Sequence, residues 1–242
     1  MALTKTNFED IKSILTTNGG VVTFRERTYK DGSVEKSVDI RVNGLTNSST
    51  SRSRNDYDFL TDYERDYLQS WTGCDDFVNI FDSNVDNWSN NNSFRNTLWE
   101  RSKILIVIVD EQGNKFGGYI DKVINKIYDG SSSSRIYSNK SFVFSLDKNG
   151  IRNYIPKKYN VSTNCTSFML YGNYAPSYLC SFGLIHIPND YPFYSADICL
   201  TAKSKYSQCH QNSYDYRGNK DSLRRNGGFS VDRFIVYQMC WI

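Results

Sequence analysis

Five apolar segments punctuated by glycine and aromatic residues constrain this chain more than any other feature. They are Ile104–Val109 (Ile-Leu-Ile-Val-Ile-Val), Lys115–Ile120 (Lys-Phe-Gly-Gly-Tyr-Ile), Ser141–Leu146 (Ser-Phe-Val-Phe-Ser-Leu), Ser181–Leu184 (Ser-Phe-Gly-Leu) and Phe229–Met239. β-branched and aromatic side chains suit a pleated, half-buried surface, and the 18 Tyr and 14 Phe of this chain press the same way. Ile104–Val109 is apolar at every position and reads as a central strand covered on both faces. A turn at Asp110–Asn114 leads into a second strand through Tyr119. Further strands are expected at 141–146, 167–171, 182–187 and 195–200. The segment 229–239 reads as one long strand, with Phe229, Val231, Ile235, Tyr237 and Met239 on one side and Phe234 and Val236 on the other. No long helical pattern separates these strands, which excludes parallel crossovers. The expected fold class is mainly β: a two-layer antiparallel β-sandwich flanked by short helices.

At 242 residues the chain can bury about 70% of its extended surface, enough for one main domain with a small appendage. The appendage lies at the N-terminus. Phe8, Ile11, Ile14 and Leu15 recur at helical spacing before Asn18-Gly19-Gly20. Residues 21–43 then alternate around Asp31-Gly32 and read as a β-hairpin. In that hairpin Arg25, Arg27 and Arg41 oppose Val22, Phe24, Ile40 and Val42, which predicts a basic outer face over an apolar inner one. The polar run Asn43–Asn55, containing Arg52 and Arg54, is read as a linker that divides a head at 1–55 from a body at 56–242. The head carries nine Lys/Arg against six Asp/Glu, whereas the body carries twenty of each, so the whole excess of +3 lies in the head. That excess fits a contact with nucleic acid or an acidic protein but does not demand one.

Two helices are expected in the body. Thr61 with Glu64 three residues on forms a capping box, Leu60, Tyr67, Leu68 and Trp71 line one side, and Gly73 stops the helix. A second runs through about Ser93–Arg101 with Phe94 and Leu98 inward. The N-terminus lacks the apolar run of a signal peptide, and the longest unbroken apolar stretch is 104–109, so neither export by that route nor a membrane span is expected. With that, the cytoplasm or nucleus is the expected compartment. The six cysteines, Cys74, Cys165, Cys180, Cys199, Cys209 and Cys240, are then read as free thiols, and Asn-x-Ser/Thr sequons such as those at Asn47, Asn91, Asn139, Asn160 and Asn164 as composition alone.

The motifs that carry chemistry resolve mostly into structural readings. Asp82-Ser-Asn-Val-Asp-Asn-Trp88 opens like a calcium loop but places Asn87 where glycine is needed and Ser93 where a bidentate Glu is needed, so it reads as an Asx-type turn. Phe116-Gly-Gly-Tyr119 lies inside a β pattern, with no Lys-Ser/Thr after it, and reads as close packing across strands. Cys199, Cys209 and His210 supply three zinc-type ligands and lack a fourth; no cofactor motif is found, and His186 has no partner legible in sequence. Cys209 is the candidate redox thiol. Short basic clusters at Lys157-Lys158, Lys203 with Lys205, and Arg224-Arg225 are interleaved with Tyr154, Tyr159, Tyr206, Tyr214 and Tyr216, a composition that suits single-stranded nucleic acid if the loops converge.

The ordered set Leu68-Gln-Ser-Trp-Thr-Gly73, Phe81-Asp-Ser-x-x-Asp86, Gly113-Asn-Lys-Phe-Gly-Gly-Tyr119, Ser141–Leu146, Ser181-Phe-Gly183 and Phe229–Val236 resembles the TLDc domain family over about residues 60–242. The resemblance implies a sandwich of two antiparallel sheets, in which Gly117, Phe142, Phe144 and Gly183 stand at scaffold positions: glycine for close approach of the sheets, phenylalanine for the core. It implies protection from oxidative damage, a protein partner such as a subunit of the vacuolar proton-pump ATPase, and no enzymatic site. The chain departs from the family at Pro188–Tyr194, where many members carry a glycine-rich run, and at Ile235-Val-Tyr237. Three function classes follow: a non-catalytic stress-response binding domain; a DNA- or RNA-binding regulator using the basic head and the Lys/Arg/Tyr loops; and a cysteine-based redox sensor.

Overall fold

The structure is a computed structural model that describes residues 59–126, 133–149, 151, 153–162, 165–183, 196–203, 206–211, 213–219 and 221–240, together with the backbone at 20–28, 34–42 and 184. The helix expected at 8–17, the linker with Arg52 and Arg54, His186 and Lys205 lie outside the described residues. The chain divides into two compact units, Met1–Arg52 and Ser53–Ile242.

In the first unit β1 (Gly20–Thr28) and β2 (Val34–Val42) pair antiparallel, with Val22 opposite Ile40 and Thr28 opposite Val34. Opposed residues share a face, so Arg25, Arg27 and Arg41 fall on one face and Val22, Phe24, Ile40 and Val42 on the other. The same register sets Glu35 opposite Arg27 and Asp39 opposite Thr23.

Among its described residues the second unit is mainly β, two antiparallel sheets of six strands with two short helices. The first sheet runs β3 (Asp76–Asp82), β14 (Val231–Cys240), β4 (Ile104–Asp110), β5 (Lys115–Ile120), β7 (Phe142–Asp147), β8 (Lys157–Asn160). The second runs β13 (Gly227–Phe229), β12 (Ser207–Cys209), β11 (Ala196–Thr201), β10 (Tyr178–Leu184), β9 (Thr166–Leu170), β6 (Ser134–Ile136). Alternation sorts the side chains into layers. Ile104, Ile106, Ile108, Phe116, Val143, Phe234 and Val236 of the first sheet meet Phe168, Phe182, Ile198, Leu200 and Phe229 of the second in one buried core. Leu105, Val107, Tyr119, Phe142, Phe144, Ile235 and Tyr237 face the other way, into a second core closed by Leu60, Leu68 and Cys74. Both faces of β4 are thus covered, which is why its sequence shows no polar alternation.

Helix α1 (Asp62–Thr72) closes that outer layer. Thr61 accepts the Glu64 N–H at 3.2 Å while Glu64 accepts the Thr61 N–H at 2.8 Å, and Gly73 caps the far end at φ 68°. The Glu64 carboxylate also pairs with Lys115 of β5 at 2.9 Å, and Lys115 donates to the Phe59 carbonyl at 2.8 Å. One residue thus caps the helix and fastens it to the sheet, and such a cap is worth about 1 kcal/mol. Trp71 lies edge-on to Phe142 with 6.1 Å between ring centroids. Helix α2 (Asn91–Leu98) starts at Asn90, which accepts the Asn92 N–H, and buries Phe94 and Leu98. Its first residue, one of the sequons, is buried, and Asn91 Nδ2 donates to the Gly172 carbonyl at 2.9 Å among other carbonyls of the 171–178 turn.

Three expectations change. The strand expected at 229–239 is two: Phe229 ends β13 in the second sheet, the chain crosses at Ser230, and Val231 begins β14 in the first, with a register shift before Arg233. The side expected to hold Phe229, Val231, Ile235, Tyr237 and Met239 is divided with it: Phe229 and Val231 pack in the core between the sheets, whereas Ile235, Tyr237 and Met239 lie in the outer core. The strand expected at 182–187 begins earlier, at Tyr178. Strands β3, β6, β8 and β12 were not foreseen; β8 and β12 are short and polar, but β3 alternates Phe77, Asn79 and Phe81 against Val78 and Ile80, a legible signal. The Asp82 turn forms as expected: Asp82 Oδ1 accepts the Asn84 N–H at 2.9 Å, Asp86 Oδ2 accepts the Asp82 N–H at 2.8 Å, and Trp88 donates to the Ser83 carbonyl at 2.9 Å.

Candidate functional site

The ladder of the first sheet brings the predicted basic clusters to one end of the sandwich. Ile235 pairs with Asp82, Val231 with Asp110, Val109 with Lys115, Lys115 with Asp147 and Ser145 with Lys157. The segment between β7 and β8 and the crossing at Ser230 leave these positions, and the segment between β12 and β13 is joined to them where Arg224 meets Asp110. Lys203 joins the same end, because its N–H donates to the Trp88 carbonyl at 3.2 Å, just past β3. Loops on a rigid sheet frame are where binding residues concentrate.

Two open clefts lie there. The first, about 460 Å³, is lined by Lys157, Lys158, Tyr159, Tyr216, Arg217, Asn219 and Ser222. The Tyr159 and Tyr216 rings, both in its lining, stand with centroids 4.9 Å apart. Lys157 and Lys158 do not act together: successive side chains on a strand point to opposite faces. The Lys158 ammonium lies 4.3 Å from the Phe142 ring centroid and donates to the Trp71 carbonyl at 3.5 Å, on the α1 side, where burial lowers its pKa. Lys157 is exposed and lies 5.8 Å from the Tyr154 ring centroid. The second cleft, about 410 Å³, is lined by Ser83, Asn84, Trp88, Lys203, Tyr206, Ser230, Val231 and Asp232. Lys203 and Tyr206 are exposed there.

Arg224 is not available as a surface contact. Its Nε donates to Asp110 Oδ2 at 2.7 Å with both side chains buried, its Nη1 donates to the Arg225 carbonyl at 2.9 Å, and the guanidinium lies 4.8 Å from the Phe229 ring centroid. Asp110 also accepts the N–H groups of Gln112 and Asn114 and the Asn114 amide. A charge buried this deeply is held by its partners. Arg225 remains exposed on the same turn. Tyr214 and Tyr216 are buried and donate their hydroxyls to the Ser167 carbonyl and to Asp197, both at 2.6 Å. Tyr159 is buried as well, so of the tyrosines expected to form a stacking surface for nucleic acid only the half-buried Tyr154 and the exposed Tyr206 reach solvent to any extent.

Cys209, the candidate redox thiol, is fully buried, and burial pushes its pKa far up despite the opposing Arg224 charge. A responsive thiol needs the reverse, exposure and a depressed pKa. Burial likewise raises Cys74, Cys180 and Cys199, the last to about 12. All six cysteines are free. Among the described residues no group of three or more His, Cys, Asp or Glu side chains is placed to hold a metal ion.

The scaffold positions divide between the two cores. A Cβ on Gly118 would meet the Phe182 ring of the opposite sheet at 2.3 Å, so Gly118 admits the second sheet. Gly117 faces outward instead, against Phe144, which with Phe142 fills the core under α1. Gly183 is required twice over, by its φ of 67° and by Asp197 Oδ1 at 2.5 Å from where a Cβ would stand. Sequence reasoning missed Asp197. It is fully buried, and its carboxylate accepts the Ser213 N–H at 2.7 Å and the Tyr214 N–H at 3.2 Å besides the Tyr216 hydroxyl, which sets the loop that carries Arg217. Arg217 was missed too; Arg217-Gly218-Asn219 is its turn signal.

No protein-family model matches the chain, and no curated protein matches it at a significant level.

Proposed function

We propose that the body of this chain is a non-catalytic, TLDc-like binding module that acts in the oxidative-stress response through a protein partner met at the loop end of the sandwich. The observation that carries this reading is the allocation of polar groups. The buried carboxylates of Asp82, Asp110, Asp197 and Glu64 each accept several hydrogen bonds that hold loops and caps, while Lys157, Lys203 and Arg217 stay exposed in the lining of two open clefts and Arg225 stays exposed beside Arg224. Binding surfaces built from loops on a rigid frame have this distribution. A proton-pump ATPase subunit is the partner class that the family resemblance offers, and the cytoplasm or nucleus is the compartment that goes with it. Among the described residues no helix is long and apolar enough to cross a membrane.

The test compares cells that produce the full chain, cells that produce a Lys157→Glu/Lys203→Glu/Arg225→Glu variant of equal melting temperature, and cells with neither, all under hydrogen peroxide. Better survival with the native chain alone, with co-purification of the proton-pump ATPase that the variant abolishes, supports the reading. Equal survival in all three removes the stress role. Catalytic consumption of peroxide by the purified chain removes the non-catalytic one.

A further inference from the structure

We propose that the cleft between Lys157 and Arg217 is a binding site for a phosphomonoester. Its described lining holds no carboxylate, and among the described residues neither Lys157 nor Arg217 makes an ion pair. Lys148 stands behind them: its ammonium contacts the Asp221 carbonyl, and it feels the opposing charges of the Asp221 carboxylate and of Lys157. Unpaired cations gathered at a concave site raise the local potential for an anion.

Arg217 is displayed by a fixed turn. Its φ is 52° and that of Gly218 is 78°, and the Asn219 N–H donates to the Tyr216 carbonyl at 3.1 Å. A left-handed arginine is uncommon and persists where its surroundings hold it. Here Asp215 accepts the Arg217 N–H at 3.0 Å, and Tyr216 is anchored through Asp197 and Tyr159. The turn therefore presents a guanidinium to the cleft from one wall while Lys157 presents an ammonium from the edge strand β8. Two cations match the charge of a phosphomonoester at neutral pH, about −1.5 to −2, whereas a carboxylate leaves one of them unmatched. This inference does not depend on the proposed stress role; the phosphate can be borne by a protein side chain or by a small metabolite.

Calorimetric titration of the full chain tests it with three probes: inorganic phosphate, a phosphoserine peptide and a sugar phosphate, each against chloride at matched ionic strength. Saturable one-site binding is expected, tighter at pH 7.5 than at pH 5.5 because the second phosphate ionisation lies at about 6. The tighter of the two ester probes identifies the source. Arg217→Gly removes the charge at a backbone position that glycine favours, so the melting temperature should hold or rise while affinity falls about tenfold; Lys157→Gln should weaken it by a similar factor. Heat no greater than the chloride control, or affinity unchanged in either variant, overturns the proposal.

Discussion

The ring of Phe182 on β10 fills the space that a Cβ on Gly118 of β5 would occupy, with its nearest ring carbon 2.3 Å from that position. The sheets approach there because one contributes no side chain and the other contributes a large one. Gly118→Ala should therefore lower stability by about 3 kcal/mol, the upper range for overpacking a filled core. Urea unfolding of Gly118→Ala, Phe182→Leu and the double variant checks it. The double variant should lose less than the sum of the two, and strict additivity would show that the residues do not meet.

Asp110 and Arg224 join the β4–β5 turn to the segment before β13 across 114 residues of chain. Asp110→Asn leaves the buried guanidinium with the longer contact to Glu111, at 3.6 Å, and should cost about 3 kcal/mol. Removing both charges, as Asp110→Asn with Arg224→Met, should cost less than the single change. The ordering of chemical-denaturation midpoints decides this.

Cys199 ionises at about 12 in the folded chain, against an ordinary value of 9.0. The folded state thus keeps a proton that the unfolded chain loses, and the stability tied to it is complete below pH 9 and lost as pH rises towards 12. For one such thiol the slope is about 1.4 kcal/mol per pH unit within that window. Cys199→Ala should flatten the decline between pH 9 and 10, read from urea midpoints. Native thiol labelling should reach the partly exposed Cys165 and Cys240 well before Cys180, Cys199 and Cys209.

Asp197 gathers three donors in a site closed by Gly183. Asp197→Asn turns one acceptor into a donor among donors and should cost about 3 kcal/mol, whereas Tyr216→Phe removes one charge-assisted bond and should cost about 1.5–3 kcal/mol. Amide exchange at residues 213–219 should accelerate in both variants, more in the first. Protection unchanged in Asp197→Asn would mean that the loop is held by something else.

Much of the fold was legible because its signals are local. Thr61 and Glu64 lie three residues apart, Gly73 follows the last helical turn, and the unbroken run from Ile104 announced a strand with two covered faces. The hairpin was announced by the alternation on either side of Asp31-Gly32, while its register, Thr28 opposite Val34, was not. The candidate site was legible only as composition: Lys157, Lys203, Tyr206 and Arg225 do reach one end, but Lys158 and Arg224 do not serve the surface, and Arg217 went unseen. Strand parity alone separates Lys157 from Lys158, and parity was readable once β8 was known to be a strand.

What the sequence determined by itself is therefore the class of structure: antiparallel strands, two short helices and glycines where side chains cannot fit, each set by backbone preference and by side chains within a few residues of one another. The tertiary structure decided the allocation of identical residue types. It sent Phe229 to one sheet and Val231 to the other, placed Gly118 and not Gly117 at the sheet contact, buried Arg224 on Asp110 and left Arg225 in solvent, and enclosed Cys209. Those outcomes depend on groups that meet from distant parts of the chain, where burial and partner choice outweigh the local preference of any one residue.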